Sequence, residues 1–313
     1  MNAFENPDLV RLLGGMVALL AIGTIAGQVL RRTARSESGQ ATVRNINDRM
    51  RAWWIMAAVF TVAIITGGIG SIVLFGLVSF LALREFVTLV ASSRADHRTL
   101  VIAFFVFTPL QYVLVAVEWY GLFAILIPVY VFVLVPTTMV IVGETERFLE
   151  RAATIQWGLM ACVYCVSYAP ALLLLDVEWD SPNALLLFFL VVVVQLSDVA
   201  QYVWGKTLGR HKIAPRVSPN KTWEGFVGGV LTATAVGAGL WWATPFDPLE
   251  AAGMAFVICL AGFAGGLTMA AIKRDRGVKD YGTLLPGHGG VLDRIDSLTF
   301  AAPLFFHLTR FFF

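Results

Sequence analysis

The stretch from Asn183 to Trp204, NALLLFFLVVVVQLSDVAQYVW, decides how this chain folds. Its 22 residues hold one charge and no proline. As an α-helix rising 1.5 Å per residue they reach about 33 Å, enough to cross the hydrocarbon of a bilayer. In lipid such a run must satisfy its own backbone, which a helix does. The single charge is Asp198, in the last turns. Ser197, Gln201 and Tyr202 join it in a polar stripe, because residues three and four apart share a helix face. A carboxylate there is costly unless it is paired, hydrated or bound to a cation. Two readings stay open: a substrate or cation site near the membrane surface, or a structural contact between helices.

Similar apolar runs lie on both sides of this one, at about 12–30, 53–67, 69–83, 99–116, 119–142, 154–175, 225–244, 250–272 and 297–313. The count is ten membrane helices, with nine or eleven as neighbouring counts. Segments 53–67 and 69–83 are short and meet around Gly67-Gly68-Ile69-Gly70, so they read either as two tight helices or as a re-entrant hairpin. Composition agrees with a lipid solvent. The chain is 58% hydrophobic and 14% charged, with mean hydropathy +0.76, whereas a soluble domain is about half apolar and a quarter charged. The first run is long, has acids ahead of it and is followed by Arg31-Arg32, which predicts a spanning helix and not a cleaved leader. Cys162 and Cys165 form a CxxC, but with no His or further Cys nearby they read as helix packing.

The charges orient the bundle. Arg31, Arg32, Arg35, Arg44, Arg49 and Arg51 lie in 31–52; Arg84, Arg94 and Arg98 in 84–98; Arg147 and Arg151 in 143–153. Segment 205–223 holds Lys206, Arg210, Lys212, Arg216 and Lys221, and 273–296 holds Lys273, Arg274, Arg276, Lys279 and Arg294. Of all Lys and Arg residues, only Arg11 and Arg310 lie elsewhere. The intervening loops carry acids such as Glu118, Asp176, Glu178, Asp180, Asp247 and Glu250. Basic loops stay in the cytoplasm, so both termini are expected outside, with 53–83 crossing twice. No soluble domain, internal repeat or nucleic-acid-binding feature is expected.

Two of the basic loops carry chemistry. Between Lys206 and Glu224, five cations, Ser218, Thr222 and two prolines make a rigid basic hairpin, and Lys221-Thr222 precedes a helix whose N-terminus favours an anion. It reads equally as a phosphate site or as a loop gripping anionic lipid heads. From Lys273 to Ser297, five basic residues, four Asp and His288 are packed with five glycines, which let a backbone approach phosphate closely. Asp293 and Asp296 are three apart at the start of the last helix, which predicts that they face one way, as paired Mg2+ ligands would.

At these residues the sequence resembles the phosphatidate cytidylyltransferase (CDP-diacylglycerol synthase) family. The resemblance rests on Ile272-Lys273-Arg274, Lys279-Asp280, Pro286 to Gly290 and Asp293-Arg294-Ile295-Asp296, and upstream on Asp198, Gly205-Lys206 and Ala214 to Gly225. It covers about residues 190–305. It implies an all-α, polytopic transmembrane bundle with a cytidylyltransferase-type C-terminal half. Residues 1–180 would be N-terminal membrane helices, and 181–313 a catalytic region with cytoplasmic loops 205–224 and 273–296. The reaction it implies joins CTP to phosphatidate, with Mg2+ and, as an option, a second, monovalent cation. It also implies a homodimer in a bacterial inner membrane, with the site facing the cytoplasm. By resemblance Asp293, Lys273, Asp296 and His288 are the candidate catalytic residues. Asp198, Lys206, Ser218, Lys221, Thr222, Arg274, Lys279, Asp280 and Arg294 are candidates for substrate binding, and Asp293, Asp296 and Asp198 for metal. His288 reads as a base or as a residue that orders the loop.

The sequence departs from the family pattern at Gly266 and Ala270, where an aspartate and a serine are usual on the helix face that leads to Lys273. Neither replacement can offer an oxygen to a metal. A second expectation is therefore a catalytically weakened member that binds nucleotide or anionic lipid as a partner. A transporter would instead place paired polar breaks at the midplane of two halves.

Overall fold

The computed structural model describes residues 6–33, 37–89, 94–284 and 289–313. Among them lie ten long helices: α1 (Pro7–Thr33), α2 (Glu37–Ile65), α3 (Gly67–Leu89), α4 (His97–Ala116), α5 (Tyr120–Val142), α6 (Phe148–Leu174), α7 (Ala184–Thr207), α8 (Trp223–Gly239), α9 (Pro248–Asp275) and α10 (Leu292–Phe312). The protein is an all-α, multi-pass membrane bundle. Seven helices, α1, α3 to α7 and α9, are long and apolar enough to cross a bilayer by themselves. The others need company. The apolar part of α2 runs only from Met50 to Ile65, α8 has 17 residues, and α10 opens with Asp293, Arg294 and Asp296.

Residues 53–83 belong to two helices, not to a re-entrant hairpin. Gly67 reverses the chain with φ of +78°, a conformation that side chains with a Cβ resist. The Ser71 hydroxyl then donates to Ala63 O at 3.2 Å. α3, at 23 residues or about 34 Å, extends six residues beyond the apolar run that predicted it. Helix α9 also starts early, because Asp247 and Glu250 build a capping box around Pro248. Asp247 Oδ1 accepts from Glu250 N at 2.7 Å, and Glu250 Oε2 accepts from Asp247 N at 2.9 Å. Helices α4, α5 and α6 each contain one widened turn, at Ala103–Phe107, Leu126–Val131 and Met160–Tyr164. Cys162 and Cys165 are free thiols within α6.

The core lies where α3, α6, α7, α9 and α10 meet, with Tyr168, Phe189, Phe305, Leu159 and Leu187 fully buried. Lipid tails give no hydrophobic drive between helices, so close contact relies on small residues. Along α8, an added Cβ at Gly225 would lie 2.7 Å from Gln201 O of α7, and one at Gly229 would lie 2.7 Å from Gln201 N. Along α9, one at Gly265 would lie 2.7 Å from Asp296 O of α10. These glycines press α7, α8, α9 and α10 together at the level of the polar residues.

The basic loops are tied to one another. Between α7 and α8, β1 (Lys212–Ala214) and β2 (Ser218–Thr222) form an antiparallel hairpin. Arg274 Nε donates to Val217 O of that hairpin at 3.2 Å, and its other arm to Val278 O at 3.0 Å. Arg151 donates to Asp96 at 2.7 Å, and Arg276 lies 4.0 Å from Glu150. Segments 84–98, 143–153, 205–223 and 273–296 therefore share one end of the bundle, the arrangement that their charge predicts.

Candidate functional site

The site is built where α9 ends and α10 begins. Asp293 sits in the first turn of α10, 3% exposed at its side chain, and Lys273 Nζ reaches its Oδ1 at 2.7 Å from the last turns of α9. Its Oδ2 accepts Tyr281 N at 2.7 Å and Gly290 N at 2.9 Å. Both carboxylate oxygens are thus occupied from within. Tyr281 folds the connecting loop back over α9. Its hydroxyl donates to Met269 O at 3.0 Å, its ring lies 5.3 Å from Lys273 Nζ, and Phe86 of α3 stacks on it. Spacing on the helix predicts a shared face for Asp293 and Asp296, but the two have different partners. The returning loop and Lys273 engage Asp293, whereas Asp296 turns toward α7.

Asp296 and Asp198 form a second cluster, bridged by Ser297. Ser297 Oγ donates to Asp198 Oδ2 at 2.8 Å, and Ser297 N donates to Asp296 Oδ1 at 2.8 Å. The remaining oxygens, Asp198 Oδ1 and Asp296 Oδ2, have no hydrogen-bond donor among the described residues. Lys221 and Arg294 both act electrostatically on the two carboxylates, and Lys273 acts most strongly of the three on Asp296. The Lys221 ammonium comes from β2 and rests 4.5 Å from the Phe263 ring. Burial pushes its pKa below the usual lysine range, and Asp198 and Asp296 pull it partly back. Arg294 Nε is buried with no hydrogen-bond partner, a state that costs free energy unless a ligand supplies an acceptor.

The departure at Gly266 faces this cluster. A Cβ built there would lie 3.2 Å from Lys221 Nζ and 3.2 Å from Ser297 Oγ. The space beside the glycine is thus bounded by the lysine and the serine.

Among the described residues no group of three or more His, Cys, Asp and Glu side chains is placed to cage a metal ion. The two free carboxylate oxygens do fit a narrower role. Mg2+ keeps several waters and is commonly held by one or two carboxylates plus substrate phosphates. Asp198 and Asp296 match that donor set, whereas Asp293 accepts a hydrogen bond at each of its oxygens.

The other predicted residues fall at the rim. Thr222 caps α8, its Oγ1 accepting Gly225 N at 3.1 Å. Glu224 accepts Arg210 N at 3.0 Å and His211 N at 3.2 Å, which fixes the hairpin against α8. Lys206 is exposed beside the Tyr202 ring, Ser218 is half-buried, and Lys279 and Asp280 are exposed. His288 lies outside the described residues. Sequence reasoning missed three participants: Ser297, Tyr281 and Glu85. Glu85, in α3, accepts Val291 N and Leu292 N, each at 2.9 Å, at the start of α10. The signal was an acid at the inner end of an apolar run, directly beside Arg84.

The cytidylyltransferase family model matches residues 47–312 of the chain. The protein named Uncharacterized protein YnbB from Escherichia coli (strain K12) is 39% identical over 308 residues, which cover 97% of this chain and 99% of that one. A phosphatidate cytidylyltransferase from Staphylococcus aureus (strain COL) is 37% identical over 145 residues, 46% of this chain and 56% of the enzyme. One from Brucella suis biovar 1 (strain 1330) is 43% identical over 126 residues, 38% of this chain and 44% of the enzyme. The matches thus span about half the length of these two enzymes.

Proposed function

This chain belongs to the cytidylyltransferase family, and from that premise we propose that it joins CTP to phosphatidate or a related lipid phosphate, giving a CDP-lipid and pyrophosphate. A phosphate oxygen of the lipid attacks the α-phosphorus of CTP. The bond from that phosphorus to the α,β-bridging oxygen breaks, and pyrophosphate leaves with the electron pair. Such a transfer needs positioning and charge neutralisation more than covalent help. Asp198 and Asp296 would hold Mg2+ through their free oxygens, and the ion would offset charge building on the triphosphate. Lys221 and the unpartnered Arg294 Nε meet phosphate oxygens. Lys273 holds Asp293 in place through their contact at 2.7 Å, and Asp293 holds the loop to α10. In a bacterial inner membrane the four joined basic loops face the cytoplasm, where CTP is available.

The observation that carries this reading is the pairing of two free carboxylate oxygens with a lysine and an arginine that have no ion-pair partner among the described residues. A purely structural cluster would close these valences on itself. The absence of an oxygen ligand at Gly266 and Ala270 favours a second reading, a nucleotide-binding member with little transfer activity.

The test uses the purified chain in liposomes with labelled CTP, Mg2+ and phosphatidate. CDP-lipid that forms with wild type and falls at least about a hundredfold with Asp296→Asn supports the transferase. Saturable CTP binding without product across several lipid phosphates supports the second reading.

A further inference from the structure

The charges around Asp198 and Asp296 nearly cancel before any ligand arrives. Two carboxylates face Lys221 from β2 and Arg294 from α10. Lys273, from α9, is paired with Asp293 and also acts on Asp296, so it adds to the positive charge beside the pair. Neither Lys221 nor Arg294 forms an ion pair within 4.0 Å among the described residues, so each acts on the carboxylate pair at slightly longer range. Gly266 makes this possible. An aspartate there would carry its Cβ to 3.2 Å from Lys221 Nζ and would both engage the lysine and add a third negative charge.

A bare divalent ion gains little in such a place. It meets two carboxylates but is repelled by two cations close by, in a partly buried setting where charges are poorly screened. A triphosphate changes the balance. Its oxygens occupy Lys221 and Arg294, whose positive charges then favour the complex, and they add ligands to a cage that the protein leaves incomplete. We infer that the divalent ion enters this site only together with a nucleoside triphosphate, and that Lys221, lodged against Gly266, is the residue that excludes the free ion. The inference rests on the functional reading above, because it takes Asp198 and Asp296 as the metal-binding pair.

Equilibrium dialysis of Mn2+ against the full chain in phosphatidylcholine nanodiscs tests it, with and without radiolabelled CTP, reading retained metal by atomic absorption and retained nucleotide by its label. Wild type should retain Mn2+ in the presence of CTP and none above empty nanodiscs in its absence. Lys221→Met removes one positive charge and Gly266→Asp adds a negative one, and each should raise nucleotide-free Mn2+ affinity at least about tenfold. The two variants change different elements, so a folding defect in one leaves the other to decide. Mn2+ held equally well by wild type with and without CTP overturns the inference while leaving the functional reading intact. The inference fails in the same way if both variants behave as wild type. Retention of neither Mn2+ nor CTP under any condition overturns the functional reading itself, and the inference with it.

Discussion

Glu85 offers the sharpest perturbation, because one side chain from the N-terminal half holds the first turn of α10. Its two carboxylate oxygens accept Val291 N and Leu292 N at 2.9 Å each, two of the N–H groups that a helix start leaves without partners. Bonds from a charged acceptor are worth about 1.5–3 kcal/mol each. The groups are half-buried, so the lower figure applies, and Glu85→Ala should cost about 3 kcal/mol of local docking. At 1.4 kcal/mol per decade this is a factor of about 150 in the opening equilibrium. Hydrogen exchange followed by mass spectrometry should therefore show the peptide at the start of α10 losing about a hundredfold in amide protection. A peptide from α7 should be unchanged. Gly290→Ala supplies a cross-check, since its Cβ would fall 2.3 Å from Glu85 Oε2 and push the carboxylate away. The two changes attack one contact, so the double variant should lose little more than either single one. Unaltered exchange in Glu85→Ala, or full additivity with Gly290→Ala, would refute the reasoning.

Further outcomes follow from the geometry. Asp293→Asn leaves Lys273 without its ion pair, a loss of about 3 kcal/mol for a buried pair, so it should lower the melting temperature in detergent. Asp198→Asn should lower Mg2+ response with little change in melting. Arg151→Ala should destabilise by about 3–5 kcal/mol, because it breaks a buried ion pair with Asp96, whose side chain is 1% exposed; chemical denaturation measures this. The Lys221 pKa is lowered in the folded state, so the unfolded chain binds more protons between the folded and the ordinary lysine values. Wild-type stability relative to Lys221→Met should then rise with pH through that window, up to about pH 10, as read by melting across an alkaline series. A flat difference would show that burial does not act on this ammonium.

Much of the architecture was legible because lipid imposes a simple rule. Runs such as 183–204 must be helices, and the basic segments between them must share a side. Helix ends were less legible. The start of α2 is polar, α3 continues past Arg84, and α9 begins at a capping box whose Asp247 lies outside the apolar run. For the site, the convergence of 205–224 with 273–296 could be read from charge and glycine content. Which carboxylate bonds to which group could not. Asp293 and Asp296 look alike in sequence, and only the fold of the intervening loop sends Tyr281 N and Lys273 to the first. Glu85 was out of reach for a related reason: its partners lie 206 and 207 residues away, and no local spacing encodes a contact at that separation.

Arg274 grips two main-chain carbonyls, Val217 O and Val278 O, and no side chain among the described residues. The clasp between hairpin and loop is consequently blind to what residues 217 and 278 are, and depends only on where their peptide groups run. Sequence change at those two sites should pass unnoticed by the clasp. A lysine at 274 would lose one prong of it, since a single ammonium cannot reproduce the spread of a guanidinium fork. The constraint falls on one arginine and on backbone shape, which leaves the side chains at 217 and 278 free to vary.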